Sequence, residues 1–367
     1  RAEKPLFYVG GGVIAGNAAA ELTALARKAQ VPVTTTLLGL GSFPETDPLS
    51  IRMPGMHGTV TANRAMSSCD LLVSIGARFD DRVTGKVSDF APHAKVKAHI
   101  DIDPSSIDKS VAVDIPVVGH VKKVLAALVD KVERSERSQW LEQIGAWQAE
   151  YPLTYDTETD EVLPQYVIDQ IYQVSGGDAV VATEVGQHQM WAAHFYKYTR
   201  PRTFLSSGGL GTMGYGLPAA IGAQAGLPGA TVVDIAGDGS IQMNFQELVV
   251  AVEHKLPVNV IILNNGHLGM VRQWQEMFYA KEYAGSVLKQ DARPPNEALN
   301  NDPGYLPDFV KLAEAHGAMG LRVTSARRSR RPSRRRSATT GRWLWSASFA
   351  RKRTSIPWYH RARGSRK

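Results

Sequence analysis

The 367-residue chain is 43% apolar and 21% charged, enough to build two cored domains. Its single cysteine, Cys69, excludes an internal disulfide and suits a reducing compartment. No run approaches the apolar length of a membrane helix and no signal peptide is visible, so a cytoplasmic protein is expected. The formal charge of +7 is uneven: residues 327–367 hold 15 of the 42 Lys and Arg and no acid, which leaves 27 basic against 35 acidic residues, or −8, for the rest.

In chain order, Pro5 to Gly12 is a strand running into glycines, and Asn17 to Gln30 is an alanine- and leucine-rich helix. Further strands are predicted at Val31 to Thr36, Asp70 to Ile75 and Val96 to Ile102. That alternation argues a doubly wound α/β domain. Gly10 to Ala15 fits G-x-G-x-x-A, yet the acid expected about twenty positions later is absent, since Thr34, Thr35 and Thr36 stand there. This weighs against an NAD dehydrogenase. The expected organisation is a first domain over residues 1–133, a helical linker over 134–157 with Trp140 and Trp147, a second parallel-sheet domain over 158–325, and a basic tail over 326–367.

The second domain carries the most specific signal. Thr231 to Ala236 and Pro257 to Leu263 are predicted strands. Between them, Phe245, Leu248, Val249 and Val252 mark a helix over Ile241 to Lys255. Such a crossover makes the strands parallel. Gly237-Asp238-Gly239-Ser240 follows the first strand and Asn264-Asn265 ends the second, with 27 positions between Asp238 and Asn265. Both residues then sit at the carboxyl edge of one sheet, where α/β proteins bind ligands. A carboxylate, an amide oxygen and nearby carbonyls are hard ligands that favour Mg²⁺, and Mg²⁺ held this way usually bridges to phosphate. The glycines admit a bulky anion to the backbone. Either half alone is an ordinary turn; the pair at this spacing carries the reading.

This spacing resembles the thiamine-diphosphate (ThDP) signature. The run Ser207 to Pro218 (SGGLGTMGYGLP), the run Glu184 to Trp191 (EVGQHQMW) and the run Asn265 to Gln275 (NGHLGMVRQWQ) resemble the catalytic subunit of the acetohydroxyacid (acetolactate) synthase family. The resemblance runs from about Lys4 to about Thr324. It implies condensation of two small 2-keto acids with loss of CO₂, on the route to the branched-chain amino acids. By the same resemblance, Asp238, Asn265 and the His267 carbonyl ligate Mg²⁺. Gln187, His188, Gly239 and Ser240 hold the diphosphate, with Gly211 and Gly237 lining the cofactor. Met213 supports the bent cofactor from below, Met270 touches the pyrimidine, and Trp274 lines the entry channel and favours the larger keto acid. Met213, Gln187 and Trp274 are thus the expected catalytic residues of this chain.

Met56-His57-Gly58, the run Gly76 to Arg82 and Asp101-Ile102-Asp103 resemble the FAD-binding middle domain of the same family. The implied flavin contacts are Gly11, Gly12, Met56, His57, Gly76, Ala77, Arg78, Asp80, Arg82, Asp101 and Ile102, with a flavin that plays no net redox role. Arginine suits the flavin phosphates because its fork donates two parallel bonds. One departure stands out: the family has Gly-Asp where Gly119-His120 stands here. The family also implies a homo-oligomer, dimer or tetramer, and a regulatory small subunit, with no membrane or nucleic-acid partner. The alternatives are another ThDP-dependent 2-keto acid decarboxylase or oxidase, and a nucleic-acid binder acting through the tail.

The two ends carry their own expectations. Arginine-, serine- and alanine-rich sequence is what GC-rich DNA yields out of frame. Read from the third base of each codon into the first two of the next, Arg353 to Arg363 permits Ala-Asn-Val-Tyr-Pro-Met-Val-Pro-Pro-Gly-Ala, and Trp343 to Ser346 permits Val-Val-Val-Glu, a last strand. A frameshift near Ser325 and a disordered tail are expected. At the front, the family's pyrimidine-binding domain, whose glutamate activates the cofactor, is missing before Arg1, so weak ThDP binding and no measurable acetolactate are expected of the fragment. Glu282 to Gly304 is expected to be a mobile loop.

Overall fold

The structure, a computed structural model, describes residues 2–288, 306–324 and, for the backbone, 343–348. Among the described residues the chain divides into two units, Arg1–Thr154 with Lys197–Arg202, and Tyr155–Tyr196 with those between Thr203 and Ser348.

The first unit is built on strands β1 (Pro5–Val9), β2 (Val33–Thr35), β3 (Leu71–Ile75), β4 (Val96–Asp101) and β5 (Ile115–Val118). All pair in parallel in the order β2-β1-β3-β4-β5. β1 is buried along its whole length, as a strand covered on both faces must be. Its alternation splits the core: Phe7 and Val9 face Leu22, Leu25, Val33 and Leu125, while Leu6 and Tyr8 face Ile51, Met66, Leu72 and Trp140. The helix Ala19–Ala29 buries Leu22, Leu25, Ala26 and Ala29 on one stripe.

The segment expected to link the domains is mostly a helix, Ser138–Glu150, and it belongs to the first unit. Trp140 is 2% exposed, donates its indole N–H to the Pro5 carbonyl at 3.0 Å and meets Trp147 edge-on at 5.8 Å. Lys197–Arg202 also belongs to this unit. The Tyr198 carbonyl accepts the Glu45 N–H at 3.0 Å and the Tyr198 N–H donates to Glu45 Oε2 at 2.8 Å, and Arg202 bonds Asn17 at 2.6 Å.

The second unit contains β6 (Val180–Thr183), β7 (Phe204–Ser206), β8 (Val232–Gly237), β9 (Asn259–Asn264), β10 (Met319–Val323) and β11 (Trp343–Ser348). Its sheet order is β10-β11-β9-β8-β6-β7, again parallel throughout. β6 and β8 are wholly buried. Their core joins Val180, Ala182, Val232 and Ala236 to Leu217, Ala220, Phe245, Leu248, Val260 and Phe309.

Two expectations are corrected here. The helix expected over Ile241 to Lys255 is broken into 3₁₀ turns at Ile241–Met243 and Phe245–Glu247 before a short helix, Leu248–Glu253. Asn244, at φ −138°, turns its amide to the Gly214 carbonyl at 2.8 Å, and Gln242 bonds the Asp238 carbonyl at 2.7 Å. These side-chain bonds compete with the helix ladder. Within the tail expected to be disordered, Trp343–Ser348 is a strand that pairs with both β9 and β10. Its aromatic and small residue types are compatible with a strand, and its position leaves β9 paired on both sides. The rest of that tail and residues 289–304 of the expected mobile loop lie outside the described residues.

Candidate functional site

β8 and β9 are hydrogen-bonded neighbours with Gly237 in register with Leu263. Asp238 and Asn265 therefore emerge side by side at the carboxyl edge. Asp238 Oδ2 accepts the Asn265 N–H at 3.1 Å and the Gly266 N–H at 2.6 Å, and Oδ1 accepts the Gly239 N–H at 2.9 Å. Asn265 Oδ1 accepts the His267 N–H at 3.0 Å, which curls the chain so that residues 265–267 wrap the Asp238 carboxylate. A carboxylate oxygen has room for a second partner beyond one N–H. Burial pushes the Asp238 carboxyl up to about 7, although the three amides pull the other way.

No three His, Cys, Asp or Glu converge on a metal position among the described residues. The Asp238, Asn265 and His267-carbonyl set is instead one carboxylate, one amide oxygen and one backbone carbonyl, the hard-oxygen chemistry of a Mg²⁺ that shares its shell with phosphate. The residues fit that group.

Around this edge the expected diphosphate residues gather. A Cβ on Gly239 would lie 2.4 Å from a terminal methyl of Leu268, which would have to move aside. The Ser240 hydroxyl is turned inward, donating to Glu184 Oε2 at 2.8 Å and accepting the Val185 N–H at 3.2 Å, so what Ser240 offers a diphosphate is its backbone. His188 packs on Gly186 and Gly237, where added Cβ atoms would meet its ring at 2.7 and 2.6 Å. Burial drives its pKa down to about 3, so it is a neutral imidazole whose Nε2 has no partner among the described residues. Gln187 opens the helix Gln187–Phe195 and donates to Gln273 at 2.9 Å. Its Oε1 lies where a Cβ on Gly269 would stand, and it too lacks a partner among the described residues. Gln187 thereby touches the helix Gly269–Phe278, which carries Met270 and Trp274, both half-buried.

Met213 sits in the turn before the helix Gly216–Gly226, and Gly211 and Gly214 there take positive φ (67° and 90°). Glu184, in the run Glu184 to Trp191, supports this turn. Fully buried at the tip of β6, it accepts the Gly214 N–H at 2.6 Å, the Leu217 N–H at 3.1 Å and the Ser240 hydroxyl. Burial raises its pKa against those three bonds. Asp234, buried in β8 and without partners among the described residues, is held well above the usual carboxylate range by burial and by the Glu184 charge.

The first unit brings its expected residues to one edge as well. Gly12 N–H bonds the Gly76 carbonyl at 3.0 Å and Gly76 N–H bonds Ile100 at 2.8 Å, so the ends of β1, β3 and β4 meet. A Cβ on Gly12 would lie 2.7 Å from the Gly76 Cα; these glycines serve a backbone crossing, and a Cβ on Gly11 would lie 3.2 Å from Leu38. Buried Ala77 follows. Arg78 pairs with Asp80 at 3.2 Å and Arg82 with Asp81 at 2.9 Å, both exposed. The Met56 N–H bonds the Arg82 carbonyl, and burial and the Arg82 charge lower the pKa of His57. Asp101 faces buried His99 at 3.6 Å, and Ile102 is 67% exposed. Exposed guanidinium groups for phosphate and a carboxylate for ribose hydroxyls fit a dinucleotide such as FAD. His120, at the departure from the family, makes no side-chain cap on the helix Val121–Lys131.

Comparison with known proteins covers both units. The family described as "Thiamine pyrophosphate enzyme, central domain" matches residues 1–128, and "Thiamine pyrophosphate enzyme, C-terminal TPP binding domain" matches residues 184–339. The acetolactate synthase large subunit of Corynebacterium glutamicum is 48% identical over 331 residues, covering 89% of this chain and 51% of that protein. The acetolactate synthase isozyme 3 large subunit of Escherichia coli is 44% identical, over 88% of this chain and 55% of that protein. A rice protein named probable acetolactate synthase 2, chloroplastic, is 48% identical, over 88% and 49%. The chain spans about half the length of these relatives.

Proposed function

This chain is a homologue of the acetolactate synthase large subunits, with the central and C-terminal domains of a thiamine-pyrophosphate enzyme, and on that premise we propose that it holds ThDP through Mg²⁺ and serves the joining of pyruvate to pyruvate or 2-ketobutyrate with loss of CO₂. The observation that carries the reading is the Asp238 carboxylate gathering the Asn265 and Gly266 amides across two adjacent parallel strands.

In this reading Asp238, Asn265 and the His267 carbonyl hold the cation. The Gly239 and Ser240 backbone, with Gln187 and His188, hold the diphosphate beside Gly237. When bound, ThDP supplies the electron sink that lets an acyl carbon react as a nucleophile. Met213, with Gly211, supports the middle of the cofactor, Met being able to fill an irregular gap. Met270 lies against its pyrimidine, and Trp274 narrows the approach and favours the larger second keto acid. The neutral His188 orients without adding charge, and the buried walls of the site exclude water. Arg78 and Arg82 hold the phosphates of FAD, with Gly11, Gly12, Gly76, Ala77, Asp80, Met56 and His57 around it and Asp101 and Ile102 at its adenosine end. Two of the relatives are named large subunits, which supports a smaller partner subunit; a homo-oligomer belongs to the same proposal.

Isothermal titration tests the reading: ThDP binds in the presence of Mg²⁺ and not in EDTA. Binding that ignores the cation contradicts it. Because the relatives are about twice as long, acetolactate formation is assayed on the complete reading frame with pyruvate; acetaldehyde or acetyl phosphate as the product favours another ThDP-dependent reaction.

A further inference from the structure

We infer that Glu184 is a positioning residue that couples the two ends of the cofactor site, one of its oxygens holding both the turn that carries Met213 and the Ser240 hydroxyl beside the diphosphate cradle. The inference deepens the ThDP reading and rests on it.

Glu184 Oε2 accepts the Gly214 N–H at 2.6 Å and the Ser240 hydroxyl at 2.8 Å. Its Oε1 accepts the Leu217 N–H at 3.1 Å, within the first turn of the helix Gly216–Gly226, where a negative charge complements the helix dipole. Three donors converge on one carboxylate. An amide has a single acceptor oxygen and would set an NH₂ group against at least one donor, so the site selects Glu over Gln.

The turn has no slack. Gly214 stands at φ 90°, and its carbonyl is held from the other side by Asn244 at 2.8 Å. A Cβ on Gly216 would lie 2.4 Å from Asp234 Oδ1 and 2.5 Å from the Glu184 nitrogen. The start of the helix is thus pressed directly onto β6 and β8. Asn244 donates to the Gly214 carbonyl in the Met213 turn and accepts from Gln246, whereas Glu184 bonds both that turn and Ser240. A shift of the Glu184 carboxylate therefore displaces the support of the thiazolium and the backbone that meets the diphosphate together.

The test compares two ligands, Mg²⁺ with ThDP and Mg²⁺ with inorganic pyrophosphate, on the whole chain and on Glu184→Gln and Asn244→Ala. Hydrogen exchange of the unliganded protein over residues 212–217 is followed in parallel. In Glu184→Gln, exchange at residues 214–217 quickens and ThDP affinity falls about 10–100-fold, the range for removing a residue that orients direct ligands. Pyrophosphate affinity falls by a smaller factor. In Asn244→Ala only ThDP affinity falls. Unchanged affinity for both ligands in Glu184→Gln overturns the inference. So do equal factors for the two ligands in both variants, which would mean general loosening. If Glu184→Gln does not fold, Ser240→Ala carries the test from the other end: faster exchange at Gly214 supports the coupling and unchanged exchange overturns it. Failure of the unaltered chain to bind ThDP with Mg²⁺ instead overturns the proposed function and this inference with it, while the exchange data still report whether Glu184 holds the turn.

Discussion

Asp238→Asn should stabilise the empty protein at neutral pH while abolishing cation-dependent binding. The Asp238 carboxyl is 2% exposed and burial moves it from 3.8 to about 7. Between those values the folded chain keeps a proton that the unfolded chain has lost. For an acid raised in this way the stability contribution is fully present below pH 3.8 and is lost as pH rises through 7. The loss runs at about 1.4 kcal/mol per pH unit, on the order of 3 kcal/mol between pH 5 and 7. Asparagine is a permanently neutral replacement, so it escapes this slope. It costs roughly 1–3 kcal/mol at all pH values, because one of the Gly239, Asn265 and Gly266 amides loses its acceptor. Urea unfolding of both proteins at pH 5, 6, 7 and 8 reads the difference. The variant gains on wild type by about 3 kcal/mol from pH 5 to 7, and Mg²⁺ with ThDP at 100 times its dissociation constant stabilises wild type alone by about 2.7 kcal/mol. Parallel pH profiles, or ligand stabilisation of the variant, would refute the reasoning.

Gly216→Ala places a Cβ 2.4 Å from Asp234 Oδ1 and 2.7 Å from the Thr183 carbonyl carbon, and overpacking of backbone by that much costs about 3 kcal/mol or more, seen as a lowered urea midpoint. Trp140→Phe removes the indole N–H donated to the Pro5 carbonyl and trims the ring that meets Trp147 edge-on; a loss of about 1–3 kcal/mol in the first unit's transition is expected, and no loss would mean the Ser138–Glu150 helix is not anchored there. Arg78→Ala with Arg82→Ala removes two exposed guanidinium groups that pair with neighbouring acids. FAD affinity by fluorescence quenching should drop about tenfold or more with no change in melting, since such surface pairs are worth little to stability.

Strands β1 to β4 of the first unit and β8 and β9 of the second were legible because buried parallel strands are short apolar runs closed by glycine or polar residues, as at Pro5–Val9 and Val232–Gly237, whereas β5, β6, β7 and β10 were not. Asp238 and Asn265 were legible because a β-α-β crossover fixes which strand tips are neighbours. Glu184 gave no linear signal of its role: its partners lie 30, 33 and 56 positions away, and only the folded turn brings them together. The break at Asn244 was hidden by apolar spacing that suited one helix, since a side-chain bond to Gly214 leaves that spacing intact. Trp140 and Trp147 were visible, but the polar residues around them masked a helix face that packs on Leu6 and Tyr8.

The cation position is tested most directly by diffraction from crystals grown with ThDP and Mn²⁺ in place of Mg²⁺, using the manganese anomalous signal. The account predicts one peak about 2.1 Å from an Asp238 carboxylate oxygen, the Asn265 amide oxygen and the His267 carbonyl, with diphosphate oxygens completing the shell. Bound ThDP whose diphosphate lies away from these three oxygens, or a manganese peak elsewhere in the second unit, would contradict it.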